Sequence, residues 1–228
     1  SCVNVHGLDD TPRDAANYTS AFDLSQIARS LLRHPRILEW SAVRIGPFRD
    51  GECTLYNTNR LLAKYPDLDG LKTGYTKRAG FCLVATAKRR GMRLISVVMG
   101  SPGERVRDSE TARLLSWGFN HFSKTTIVSP GQSLGDVALK WGVEPHISAV
   151  TTDSIVAVLT TSQRHQIDRQ VDLPAEHPAP VTAGQKLGEL SISLNDSLLA
   201  QVDLVGQLAT VDLALIHAGH GDGVEPAV

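Results

Sequence analysis

"LDGLKTGYT", residues 68–76, sets Lys72, Thr73 and Gly74 side by side between the Tyr65-Pro66-Asp67 run and an apolar segment that opens at Gly80-Phe81. An ammonium on a strand next to a hydroxyl can hold a carboxylate through charge-assisted hydrogen bonds, and a glycine beside them lets a ligand backbone come close. The plain alternative is an exposed lysine at a strand start, and the triplet alone does not decide between them. The segment that follows, "AGFCLVATAKRRGMRLISVVMG" (79–100), is two apolar runs around Lys88-Arg89-Arg90-Gly91, the pattern of a hairpin with a glycine-bearing turn. Both runs are apolar on both faces, which predicts two strands inside a covered sheet. "SPGERVRDSETARLLSWGFNHF" (101–122) then places Ala112, Leu115, Phe119 and Phe122 three or four apart, an amphipathic helix able to pack on that sheet.

Upstream, Thr19-Ser20 can cap a helix over "AFDLSQIARSLLRH" (21–34), in which Phe22, Leu24, Ile27, Ala28, Leu31 and Leu32 recur at helical spacing, with Pro35 as its end. "RILEWSAVRIGPF" (36–48) reads as a short helix end or a strand, and "CTLYNTNRLLAKYPDLDG" (53–70) as strand, turn and loop. Near Lys124 the texture changes. "SLGDVALKWG", "AVTTDSIVAVLTT", "IDRQVDLP", "GQKLGELSISLND" and "SLLAQVDLVG" are short alternating segments with turn residues between them, which predicts a small all-β, sandwich-like domain. The expected division is residues 1–124 and 125–228, with the boundary between Phe122 and Pro130.

Composition narrows the classes. With 228 residues, 42% hydrophobic and 21% charged, the chain has the balance of a globular protein. A formal charge of -1 provides no basic field, so nucleic acid is not an expected partner. No run approaches the ~18 apolar residues that a bilayer crossing requires. Cys2, Cys53 and Cys82 are odd in number and lack CxxC spacing, which argues against a disulfide framework or a zinc site, leaving one disulfide or three thiols. No metal, nucleotide or flavin pattern appears, so no cofactor is expected. His121, His146, His165, His177, His217 and His220 are scattered and read as surface or satisfied core residues. The chain opens "SCVNVHGLDD", without an initiator methionine or signal peptide, so further residues are expected before Ser1.

In order along the chain, "VHGLDD", "NYTSAFDLSQIARSLLRHP", "YNTNRLL", "DGLKTGYTKRAGFCLVATAKRRGMRLISVVMG" and "TARLLSWGFNHF" are similar to the second half of serine-type D-alanyl-D-alanine carboxypeptidases, the low-molecular-mass penicillin-binding proteins of peptidase S11 type. The β-rich remainder resembles that family's C-terminal domain. The resemblance implies an α/β (α+β) part of a transpeptidase domain of the penicillin-binding-protein and β-lactamase kind, followed by a small all-β domain. It also implies a serine acyl transfer on peptidoglycan pentapeptides ending D-Ala-D-Ala, with β-lactam antibiotics as further ligands, in the bacterial envelope, periplasmic or extracytoplasmic. In that scheme Lys72 helps activate a serine of the second motif and attracts the substrate carboxylate, while Thr73 hydrogen-bonds it. A backbone N–H near Tyr75 or Thr76 completes the oxyanion hole. Arg107 falls where the family has an arginine that reaches the cleft; carboxylate partner and solvated residue at a helix start both stand as readings. His6-Gly7 matches a His-Gly-Leu loop near the site, where His6 reads as structural. Tyr75 stands where a histidine often follows Lys-Thr-Gly.

The family's motif set is a serine nucleophile in SxxK, a second serine motif, and KTG. None of the seven lysines, at 64, 72, 77, 88, 124, 140 and 186, has a serine three residues before it. Ser193-Leu194-Asn195 has the letters of the second motif but follows KTG in the β-rich part, which reads as chance. The expectation is therefore a chain that does not acylate alone, with a missing N-terminal portion or a second chain supplying the nucleophile and covering apolar sheet surface. A non-catalytic module binding peptidoglycan or a partner is the alternative. A β-lactamase-like hydrolase is disfavoured by the β-rich part, whose expected role is a stalk or a partner surface.

Overall fold

The computed structural model describes residues 3–8 and 17–207. Its contacts divide the chain into two compact units, Ser1–Ser123 and Lys124–Val228.

In the first unit, helix α1 (Ala21–Leu31) starts where Ser20 Oγ accepts from Asp23 N at 3.1 Å and Asp23 Oδ2 accepts from Ser20 N at 3.2 Å. This reciprocal cap satisfies two donors that a helix start otherwise leaves orphaned. The helix stops at Leu31, short of the expected His34, and Pro35 opens a second helix instead of closing the first. In α2 (Pro35–Ser41) the proline sits in the first turn, where its missing N–H costs no intrahelical bond. The stretch 36–48 is thus both helix and strand: α2 leads into β1 (Ile45–Phe48), which pairs antiparallel with β2 (Cys53–Tyr56). A short 3-10 turn, Arg60–Ala63, follows.

The site is carried by an antiparallel sheet of β3 (Leu68–Thr76), β4 (Gly80–Arg89) and β5 (Met92–Ser101), in that spatial order. The β4–β5 turn is Arg90-Gly91, at φ 49° and 77°. Two consecutive left-handed residues give the turn whose twist matches the flanking strands. Only β4 lies mid-sheet; β5 is an outer strand among the described residues, with Met99 exposed, so the expectation of two covered strands holds for one of them. Helix α3 (Glu104–His121) lays the buried Leu115, with Ala112 and Phe119, against Leu83, Ala85, Ala87 and Leu94. Phe122 is not on that helix but begins the next strand. A Cβ at Gly118 would lie 2.6 Å from Leu94 Cδ1, so glycine lets the helix approach the sheet closely. Arg89 fastens the same region: Nε and Nη2 donate to Asp67 Oδ2 at 2.8 and 2.7 Å, and the guanidinium lies 4.6 Å from the Phe119 ring centre. Arg93 on β5 reaches across β4 to Asp69 on β3 at 2.8 Å. The apolar stripe of α1 is mostly uncovered: Ala28 is its buried residue, while Phe22 and Ile27 are exposed.

The second unit holds a six-stranded sheet in the order β10 (Ile167–Asp172), β12 (Lys186–Leu194), β13 (Ser197–Gly206), β8 (His146–Thr151), β7 (Ser133–Lys140), β11 (Glu176–Pro178). A two-stranded sheet of β6 (Phe122–Val128) and β9 (Ile155–Thr160) completes it. Val137, Ile147, Val181, Leu190, Ile192 and Leu204 form its core. A short helix, α4 (Thr161–Arg164), interrupts a segment that reads as β, because Thr160 and Gln163 close a capping box around it. Asn195-Asp196, at φ 49° and 62°, form the β12–β13 turn, so the Ser193-Leu194-Asn195 letters belong to a hairpin.

Leu115 is 1% exposed and touches both layers of the first unit. Leu115→Ala is expected to destabilise that unit by about 2–5 kcal/mol. Urea unfolding followed by tryptophan fluorescence checks this, and a loss below about 1 kcal/mol would show that the helix-on-sheet contact is not its core.

Candidate functional site

β3 pairs with β4 along one margin and is an outer strand of its sheet among the described residues, so the groups along its other margin need partners from elsewhere. Side chains supply them over its first half. Ser41 Oγ, at the end of α2, donates to Asp69 O at 2.9 Å. Asn59 Nδ2 donates to Gly70 O at 3.4 Å, and beyond that half the Thr58 and Thr73 hydroxyls are 2.6 Å apart, a contact between side chains. Asn57 fastens this loop to α2: its Nδ2 donates to Ser41 O at 3.1 Å and Val43 O at 2.8 Å, and its Oδ1 accepts from Asn59 N at 2.8 Å. A side chain at Gly70 would collide with Ser41 Oγ, so this close approach requires glycine.

Past Gly70 the margin opens. Lys72, Thr73, Gly74 and Tyr75 line a groove of about 930 Å³, together with Thr58, Leu24, Phe81, Glu104, Arg107 and the loop around His6-Gly7. A Cβ at Gly74 would meet nothing within 4 Å, so this glycine keeps the groove floor clear without serving any packing. Lys72 is exposed and its Nζ donates to Thr73 O. The Tyr75 ring leans on Phe81, with centroids 4.3 Å apart and planes inclined by 32°. Thr76 does not line the groove; its Oγ1 accepts from Ala79 N at 3.0 Å and holds the turn into β4. Successive residues of an antiparallel strand send their N–H groups to opposite edges, so Tyr75 and Thr76 present one N–H to β4 and one to the open margin.

The facing loop is tied down by Asn17, whose Oδ1 accepts from Val3 N at 2.6 Å and Asn4 N at 3.1 Å. Asn4 Oδ1 accepts in turn from Gly7 N at 2.8 Å, and Gly7 takes the left-handed φ of 70° that this tight loop requires. His6 commits Nδ1 to its own loop, accepting from Leu8 N at 3.1 Å.

Arg107 is only 3% exposed, which removes the reading of it as a solvated residue at a helix start. Its Nε and Nη2 donate to Asp108 Oδ1 at 3.0 and 2.7 Å, and Nη2 reaches Glu104 Oε1 at 3.4 Å. The groove thus carries two cations of different kinds, an exposed ammonium on β3 that donates to the Thr73 carbonyl and a buried guanidinium fixed on α3. Glu104 is the carboxylate beside them. Thr58, Leu24 and Glu104 are lining residues that the sequence reading does not assign. The Asn-Thr-Asn spelling at 57–59 is the available signal, since short polar side chains in loops commonly bond nearby backbone.

Cys53 is exposed, Cys82 is half-buried, and both are free thiols; Cys2 lies outside the described residues, as do His217 and His220. Among the described residues no cluster of three His, Cys, Asp or Glu side chains is placed to hold a metal ion.

The sequence pattern of the D-alanyl-D-alanine carboxypeptidase family matches residues 1–103, and that of the penicillin-binding protein 5 C-terminal domain matches residues 122–210. The chain belongs to the D-alanyl-D-alanine carboxypeptidase family of low-molecular-mass penicillin-binding proteins. It is 30% identical over 193 residues to the D-alanyl-D-alanine carboxypeptidase DacF of Bacillus subtilis, covering 82% of this chain and 49% of the relative. To DacD of Escherichia coli K12 it is 31% identical over 212 residues, covering 88% of this chain and 51% of the relative. The chain spans about half the length of the curated relatives it matches. Among solved structures it is similar to penicillin-binding protein 5 of Haemophilus influenzae, with TM-score 0.59 and 26% identity over 86% of this chain and 58% of that one. It is likewise similar to PBP3 of Streptococcus pneumoniae, a peptidoglycan synthesis regulatory factor, with TM-score 0.61 and 25% identity over 88% of this chain and 59% of that one. The mixed α/β first unit and the β-rich second unit are those of a penicillin-binding protein.

The Arg107–Asp108 pair is buried on both sides, whereas the Glu104 side chain is 35% exposed. Asp108→Ala strands a buried cation and is expected to cost about 3–5 kcal/mol. Glu104→Gln removes a partly solvated partner and should cost under about 1 kcal/mol. Chemical denaturation of both variants checks the contrast, and equal losses would contradict the assignment of Asp108 as the residue that holds the guanidinium.

Proposed function

We propose that this chain forms the carboxylate-binding wall of a serine-type D-Ala-D-Ala carboxypeptidase, which trims peptidoglycan stem peptides in the bacterial envelope through an acyl-enzyme. The observation that carries this reading is the convergence of Lys72, Thr73 and Arg107 on one groove above the open space at Gly74. A peptide ending in D-Ala-D-Ala brings a terminal carboxylate. The Thr73 hydroxyl donates to it, and Lys72 and Arg107 neutralise it; each charge-assisted bond of this kind contributes about 1.5–3 kcal/mol. The peptide bond between the two D-alanines then lies along β3, where the outward N–H of Tyr75 or Thr76 faces its carbonyl oxygen as it becomes an oxyanion. Lys72 also assists a serine of the second motif. β-Lactams, with their own carboxylate, occupy the same wall.

No SxxK serine occurs among these 228 residues, so in this reading the attacking alcohol comes from outside them and the chain by itself takes up no acyl group. Residues 1–124 serve as part of the catalytic domain, and the β-rich residues 125–228 as a stalk or partner surface. The same absence favours a second reading, a non-catalytic module that holds peptidoglycan by the same carboxylate contacts. Fluorescent penicillin separates the two: covalent label on a serine supplied to this chain supports the enzyme, and binding without label supports the module.

Lys72 is exposed and its Nζ donates to the carbonyl of the adjacent Thr73, so Lys72→Ala is expected to leave the melting temperature nearly unchanged. By calorimetry, the same variant should weaken binding of an acyl-D-Ala-D-Ala peptide by about 10- to 100-fold, the loss of one charge-assisted bond, with little effect on the C-terminal amide. Equal affinity of the variant and the parent chain for the free acid would remove Lys72 from this role.

A further inference from the structure

We infer that Thr58 is a positioning residue that holds the Thr73 side chain in one rotamer with its hydroxyl at the groove, an inference that rests on the reading of the groove as a carboxylate site. The two hydroxyl oxygens stand 2.6 Å apart, a full hydrogen bond in which either oxygen can be the donor. A threonine hydroxyl has one proton to give and two lone pairs to accept with. If Thr73 donates to Thr58, its proton is spent and the oxygen turned to the groove is an acceptor, which repels a carboxylate. If Thr58 donates to Thr73, the Thr73 proton is released toward the groove. A carboxylate accepts only, so it selects the second arrangement, and the resulting chain from Thr58 to Thr73 to the anion polarises each bond in turn.

The geometry around Thr58 makes it more than a neighbour. Its loop is held on both sides, by the Asn57 side chain bonded to Ser41 O and Val43 O and by Asn59 bonded to Gly70 O. Thr58 itself is exposed, lies in the groove lining and supports no core. Two buttressing asparagines and one hydroxyl aimed at the strand form a device that fixes an oxygen against Thr73. Lys72 Nζ donates to the Thr73 carbonyl, so the backbone of that residue is engaged as well.

The test compares Thr58→Val, which keeps the shape and deletes the hydroxyl, with Thr58→Ser, which keeps the hydroxyl, in the full 228-residue chain. The first readout needs no ligand: three-bond couplings from the backbone nitrogen and carbonyl carbon to Thr73 Cγ2 report its side-chain rotamer. One rotamer is expected for the parent chain and for Thr58→Ser, and averaging over rotamers for Thr58→Val. The second readout is affinity for an acyl-D-Ala-D-Ala peptide as free acid and as C-terminal amide. Thr58→Val should lose about fivefold for the acid, the equivalent of one net hydrogen bond, and keep its affinity for the amide, with Thr58→Ser restoring the acid. A Thr73 rotamer that stays fixed in Thr58→Val overturns the inference whatever the affinities. Averaging in Thr58→Val combined with equal binding of acid and amide by the parent chain supports the positioning role and overturns the carboxylate reading beneath it.

Discussion

The outer margin of β3 is the constraint on which the site depends. A strand paired on one side leaves alternate backbone groups along its other side, and an unprotected margin of that kind invites another strand. Here the first half of the margin is satisfied by side chains from α2 and from the loop at 57–59, with Ser41 on Asp69 O and Asn59 on Gly70 O. That margin is thereby fixed without a second neighbouring strand among the described residues, and residues 72–75 remain accessible to the groove. Rigidity and openness, which usually oppose each other at a sheet edge, are assigned to successive halves of the same nine residues.

The two cations of the groove differ in what burial has done to them. Lys72 keeps an exposed ammonium on a flexible stem, able to follow a ligand, whereas Arg107 is fixed by Asp108 and carries its charge at a set position. A planar guanidinium suits that second task, because two donors on one edge can be committed to a structural carboxylate while the group stays charged. The whole chain has a net charge of only -1, so net charge supplies no field that draws an anion in; in the proposed reading, selection for a carboxylate is local to these few side chains.

Much of this was legible in the sequence because it depends on local chemistry. The hairpin at Arg90-Gly91, the helix under Leu115 and the run of short strands after Lys124 follow from turn residues and periodicity. The features that escaped are those set by tertiary register. Nothing in the chain order brings Thr58 to Thr73; the loop must first be folded onto the strand. The burial of Arg107 escaped for another reason. Its buried partner, Asp108, is the very next residue, whereas the partner that helix spacing picks out, Glu104 three positions back, is partly exposed and does not signal burial. Pro35 reads in the sequence as an end and is in the structure a beginning, since its fixed φ suits the first turn of a helix. The strand β5 looked interior because it is apolar on both faces, yet it forms an outer edge among the described residues. The capping pair Thr160 and Gln163, by contrast, was visible in the letters and outweighed by the β-rich texture around it.

The central claim is that the margin from Lys72 to Gly74 reads the acidic end of a cell-wall peptide, and a crystal structure of the chain with an acyl-D-Ala-D-Ala peptide bound tests it most directly. The account predicts the terminal carboxylate within about 3.2 Å of Thr73 Oγ1 and Lys72 Nζ, over the open face of Gly74. A peptide seated elsewhere, with the groove empty and its carboxylate in solvent, would contradict it.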